Sequence, residues 1–309
     1  MLAILLKTLP FFALIGLGWW SGRARFFSEE ATAALTRFVF YFALSAMLFR
    51  FAANLSLSEL FDLPFVLAYL TGSMTIYLLT MSVAFFRRVT LAEAAVEAQC
   101  SVIGNAGFLG VPMLVVLLGT AAAGPVLMVL AIDLIVFSSL ITLIITGARQ
   151  GRMSLGVLRA LALGLLKNPM IVSMVAGLLW SSSKLTLPGP IDEFLSILGA
   201  AATPGALFAI GASLASRTAE RLTVAIWLSF AKLILHPAAV AIAALWLFDV
   251  EPFAAGVMIS AAALPVAGNV YILAQHYGVA PQRVSASILI STMASILTVT
   301  AVIAWVTAS

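Results

Sequence analysis

Apolar runs of bilayer-spanning length follow one another along almost the whole chain, with only short connections between them. Read between charged or Gly/Pro punctuation, they form ten segments, approximately 3 to 21, 31 to 51, 63 to 86, 92 to 118, 124 to 147, 168 to 183, 191 to 215, 221 to 247, 252 to 277 and 282 to 306. A hydrocarbon core about 30 Å thick takes roughly 20 apolar residues of helix. Inside it, backbone polar groups must be satisfied without water, which favours helices. The expected fold class is an all-α polytopic membrane protein with ten transmembrane helices. Composition agrees: 63% of residues are hydrophobic and 9% charged, with a mean hydropathy of +1.16, against about 25% charge in a water-soluble domain. The short loops leave no room for a sizeable soluble domain.

The net charge of +4 does not indicate a nucleic-acid partner, because the basic residues sit at segment ends and never form a long run. They read instead as topology signals. Loops after odd-numbered segments hold Arg23, Arg25, Arg87, Arg88, Arg149, Arg152, Arg159, Lys167, Arg217, Arg221 and Arg283, whereas the other side has Lys7, Arg50 and Lys184. The odd loops are therefore expected in the cytoplasm and both termini outside. The stretch from Ser154 to Leu166 is too short to span and reads as an interfacial helix. The first apolar run resembles a signal peptide but lacks a convincing cleavage site, so it is assigned as the first span. A single cysteine, Cys100, excludes an internal disulfide, and with two histidines, His236 and His276, neither a metal site nor a cofactor is expected.

Two polar breaks interrupt the pattern: SVIGNAGFLGVP at Ser101 to Pro112 in segment four, and ALPVAGNVYILA at Ala263 to Ala274 in segment nine. Pro10 matches Pro169 and Asn105 matches Asn269, which aligns segments one to five with six to ten. An odd number of spans per copy turns the second upside down, giving a 5+5 inverted-topology repeat with crossed broken helices 4 and 9. The domains so defined are a first repeat at 1–147, a cytoplasmic linker with the interfacial helix at 148–167, and a second repeat at 168–309. Unwound backbone at membrane depth must line a cavity or be buried in protein. Half-helices starting at the breaks, the first near Pro112, bring free N–H groups and partial positive charge to mid-membrane, which suits an anion. The expected substrate-binding residues are Gly104, Asn105, Gly107, Pro112, Pro265, Gly268 and Asn269, with Tyr271 and Gln275 one turn apart beyond them.

Asp133 in segment five and Lys232 in segment eight are the ionisable groups deepest within spans. Equal depth permits an ion pair, which either gates and couples transport or simply joins two helices. His236, one turn beyond Lys232 and before Pro237, either titrates in a proton pathway or satisfies carbonyls freed by the proline kink. Glu97 and Gln99 read as entrance residues or as interfacial polar groups. Thr203, Pro204 and Ser213 of segment seven, in corresponding repeat positions to Ser45 of segment two, read as packing and hinge residues, or alternatively as residues facing the substrate.

The NAGFLGVP stretch, the KNP opening of segment six, PGALFAIGASL at Pro204 to Leu214, KLILHP at Lys232 to Pro237 and LPVAGNVYILA at Leu264 to Ala274 together resemble the auxin efflux carrier family. That family includes the plant PIN auxin transporters and bacterial malonate or malate permeases. The resemblance covers nearly the whole chain. It implies a scaffold of helices 1, 2, 6 and 7, a mobile core of helices 3–5 and 8–10, and a homodimer. The long cytoplasmic loop of the plant proteins is missing, which favours a compact prokaryotic member in the inner membrane. The expected function is a secondary transporter for a small organic anion, by alternating access of elevator type, with H+ or Na+ as possible coupling ion. A sodium/proton antiporter or a bile-acid-type sodium symporter is the alternative, followed by a channel or receptor. No catalytic constellation is present to suggest an enzyme.

Overall fold

The computed structural model describes residues 2–55, 62–150, 155–215 and 222–307, and every regular element among them is a helix. In order these are α1 (Leu2–Arg23), α2 (Glu29–Ala53), α3 (Leu63–Phe86), α4 (Leu91–Val102), α5 (Ala106–Leu118), α6 (Thr120–Ala148), α7 (Leu155–Lys167), α8 (Pro169–Ser182), α9 (Gly189–Ala215), α10 (Leu222–Leu247), α11 (Pro252–Ala262), α12 (Gly268–Tyr277) and α13 (Pro281–Val306). Six of them, α2, α3, α6, α9, α10 and α13, are long and apolar enough to cross a membrane, and α5, α8 and α11 are shorter apolar helices. Arg152, Ser154, Arg217 and Arg221 lie outside the described residues.

Local chemistry sets several helix starts. In the KNP stretch, Asn168 Oδ1 accepts the Met170 N–H at 3.0 Å and Pro169 takes the first helical position, where its missing N–H costs nothing. Thr90 and Glu93 form a reciprocal capping box at α4. Glu251 accepts from the N–H groups of Phe253 and Ala254, at 3.0 and 2.8 Å, at the start of α11.

Without a hydrophobic drive between helices in lipid, close backbone approach through small residues holds them together. α1 packs on α9, and α8 packs on α2. A Cβ on Gly18 would collide with the Phe208 carbonyl, and one on Gly177 would collide with the Phe49 carbonyl. Elsewhere α3 packs on α4 and α10, α10 on α13, and α11 on α6. Several long helices carry a wide π turn, at Val39–Ala43 in α2, Asp133–Phe137 in α6, and Ala231–Leu235 and Ala243–Leu247 in α10. Such turns insert a residue into the helical ladder and recur at functional sites. Here they contain both Asp133 and Lys232.

Candidate functional site

Both polar interruptions are breaks, and they meet. Between α4 and α5 the chain is extended at Ile103, and between α11 and α12 it is extended at Ala267. The two segments pair antiparallel, Gly104 opposite Val266. Asn105 donates its N–H to the Pro265 carbonyl at 2.9 Å, and Ala267 donates to the Ile103 carbonyl at 3.1 Å. The Val266 N–H reaches the Ser291 hydroxyl of α13 at 3.1 Å. Backbone freed from two helices is thus satisfied by the partner break and by one serine.

The break in segment four is shorter than its glycines and proline suggested. The second half begins at Ala106 with a π turn to Gly110, and Pro112 lies inside the following helix. Gly104 and Gly110 do not take left-handed backbone; they permit close approach. A Cβ on Gly104 would lie 3.2 Å from the Ala261 carbonyl and 3.3 Å from Lys232 Nζ, and one on Gly110 would lie 2.6 Å from Leu264 Cδ1. A Cβ on Gly107 would strike the Met170 side chain of α8. Phe108 stacks on Phe40 of α2, ring centroids 6.2 Å apart. The crossing therefore abuts α2 and α8 directly.

The starts of α5 and α12 lack side-chain caps, which leaves the N–H ends of both helices without the usual acceptors. Asn105 is buried at the first, and Asn269 is half-buried at the second with its Oδ1 enclosed and unpartnered. Gly268 is exposed and has no atom within 4 Å of where its Cβ would stand, so the α12 end of the crossing is open. Pro265 is buried within the crossing, Tyr271 is half-buried, and Gln275 is exposed on the next turn.

Lys232 is fully buried at this junction and donates to the Ala262 carbonyl at the C-terminal end of α11. A cation there complements the helix dipole and an orphan carbonyl. His236 Nδ1 lies 3.1 Å from Lys232 Nζ and 3.2 Å from the Ala262 oxygen, while Nε2 lies 2.9 Å from Ser73 Oγ of α3. The Tyr69 ring packs edge-on to His236, centroids 5.9 Å apart, and its hydroxyl donates to Asp133 Oδ1 at 2.8 Å. Asp133 Oδ2 is buried without a partner.

Two expectations need correction. Asp133 and Lys232 do not form an ion pair among the described residues: Tyr69 occupies the carboxylate, and Ala262 and His236 occupy the ammonium. Their equal depth was compatible with contact, but each charged group is taken by other partners. His236 also does not cap carbonyls of its own proline kink; it bridges Lys232, the end of α11 and Ser73.

Glu97 and Gln99 are likewise not solvated, each being 1% exposed. Glu97 accepts from Arg87 Nη1 at 2.7 Å and Arg283 Nη1 at 2.6 Å, and Arg283 Nη2 also binds Glu93 at 2.7 Å. This network joins the end of α3, the start of α4 and the start of α13. Sequence reading missed it because Arg87 and Arg283 look like ordinary loop charges. Ser291, Tyr69 and Ser73 were missed because a hydroxyl in an apolar helix carries no local signal. Among the described residues no group of three His, Cys, Asp or Glu side chains is placed to hold a metal ion.

Residues 3–303 match the family described as membrane transport protein. The chain is 32% identical to a protein of Rhizobium meliloti (strain 1021) named "Putative malonate transporter", over 94% of this chain and 92% of that protein. It is 26% identical to the uncharacterized transporter YfdV of Escherichia coli (strain K12), over 94% of this chain and 93% of that one.

Proposed function

This chain belongs to the membrane transport protein family, and from that premise we propose that it is a secondary carrier for a small organic anion, bound where the two broken helices cross. The observation that carries this reading is the crossing itself: two uncapped helix starts, Asn105 and Asn269 beside them, and a buried lysine within a few ångströms of Gly104. Free N–H groups and partial positive helix ends attract an anion. Amide side chains add donors and acceptors without placing another charge in the bilayer. The relative named for malonate makes short mono- and dicarboxylates the first substrates to try.

The carrier reading includes a ten-span, 5+5 inverted repeat and a homodimer. The glycine contacts support the repeat: Gly18 on Phe208 and Gly177 on Phe49 are related by the same chain offset as Pro10 and Pro169. In the proposed mechanism α1, α2, α8 and α9 form the scaffold, and the remaining spans carry the crossing past it. Substrate shifts that equilibrium only through different affinity for the two arrangements. Both termini are assigned to the outside of a prokaryotic inner membrane, with Arg87 and Arg283 at the cytoplasmic end.

Coupling to protons is supported by the arrangement around His236. With Lys232 charged, Nδ1 accepts from the ammonium and Nε2–H donates to Ser73. With Lys232 neutral, Nδ1–H turns to the Ala262 carbonyl and Nε2 accepts from Ser73. A second reading, an ion antiporter or sodium symporter, is favoured by the unpartnered Asp133 oxygen. Proteoliposomes loaded with malonate, malate or auxin-like weak acids, under imposed proton and sodium gradients, test both. Carboxylate movement driven by the proton gradient is expected. Sodium movement with no carboxylate movement, or carboxylate movement driven by the sodium gradient alone, selects the second reading.

A further inference from the structure

The last turn of α2 and the start of α9 border two cavities of about 490 and 240 Å³, and Arg50 lines both. The larger also has Lys184, Asp192, Asn54 and Ser181 in its wall. The smaller runs between α2, α5 and α9 and reaches Thr203 and Pro112, which lies about 9 Å along α5 from the crossing residue Ala106 at ~1.5 Å per residue. Arg50 grips Asp192 as a fork, Nε to Oδ1 at 2.7 Å and Nη2 to Oδ2 at 3.1 Å, while each side chain remains 37% exposed.

An ion pair this exposed contributes little to stability, yet its geometry is the one in which a guanidinium recognises any carboxylate. Among the described residues two cations, Arg50 and Lys184, and one carboxylate, Asp192, line the larger cavity, a positive excess that concentrates anions there. Among the described residues Arg50 is also the one shared by the two cavities. We propose that this cavity is a docking site for the carboxylate cargo ahead of the crossing, in which the substrate carboxylate takes the place of Asp192 on Arg50 and is passed along the smaller cavity toward α5. The inference rests on the carrier reading above and adds a second anion site to it.

Arg50→Gln and Asp192→Asn break the same ion pair. If that pair only braces α2 against α9, both variants shift transport in the same direction. A docking site requires opposite signs. With malonate as probe in proteoliposomes of fixed orientation, Arg50→Gln raises KM from the Arg50 side by about tenfold, the loss expected from a charge-assisted hydrogen-bond pair. Asp192→Asn removes the internal competitor and lowers KM from that side. KM from the opposite side stays unchanged in both. Arg50→Lys, which keeps the charge but not the fork, falls between Arg50→Gln and the unaltered protein. Same-sign changes, or no change in KM while the unaltered protein transports malonate, overturn the docking site and leave the carrier reading standing. No carboxylate transport by the unaltered protein removes both.

Discussion

Asn105 and Asn269 stand at helix starts whose N–H groups have no side-chain cap, and Asn269 keeps an enclosed oxygen without a partner. Replacing either by alanine is expected to cost substrate about 1 to 2 kcal/mol, roughly tenfold in KM. Membrane insertion and thermal unfolding should be unaffected; unchanged KM in both variants makes them braces of the crossing only. Arg283 has the opposite character. Arg283→Ala leaves Glu97, 1% exposed, with one arginine instead of two. A buried charge left wholly unpaired costs about 3 to 5 kcal/mol; with Arg87 still in place the loss is smaller, and a lowered unfolding temperature in detergent is expected, where Arg50→Gln barely moves it. The asparagines were legible in sequence because an amide is conspicuous in an apolar run. Arg283 was not, because a loop arginine and a buried one look alike until α3, α4 and α13 are brought together.

Between helices, the deciding contacts are glycine on carbonyl. Gly18→Ala places a methyl group against Phe208 of α9, and Gly177→Ala places one against Phe49 of α2, whereas the exposed Gly16 has open space around it. Overpacking costs about 1 to 3 kcal/mol, so the first two variants should lose thermal stability and Gly16→Ala should not. Equal loss in all three would mean that helix approach here does not depend on glycine. The starts of α4 and α8 could be read from Thr90-x-x-Glu93 and Asn168-Pro169, because caps are local chemistry. The start of α5 could not: Pro112 pointed to a later start, but the helix opens at Ala106 with a π turn. A π turn depends on what packs around it and has no compositional mark, which is also why the turns holding Asp133 and Lys232 went unread.

In the proposed elevator movement the crossing slides past α2 and α8, against which Phe108 and Gly107 rest. With Cys100 changed to serine, Phe40→Cys and Phe108→Cys joined by a short, reductant-cleavable thiol cross-linker should stop transport, and reductant should restore it. Transport that continues through the linked protein overturns the elevator movement. From the chain alone, the all-helical class and the two breaks could be derived. Each follows from period, length and backbone satisfaction in lipid, which are properties of a segment and its solvent. The partners of Lys232, Asp133, Arg50 and Arg283 came only from the fold. Most of those partners lie on helices far apart in sequence, and burial leaves Lys232, Asp133 and Arg283 few groups within reach.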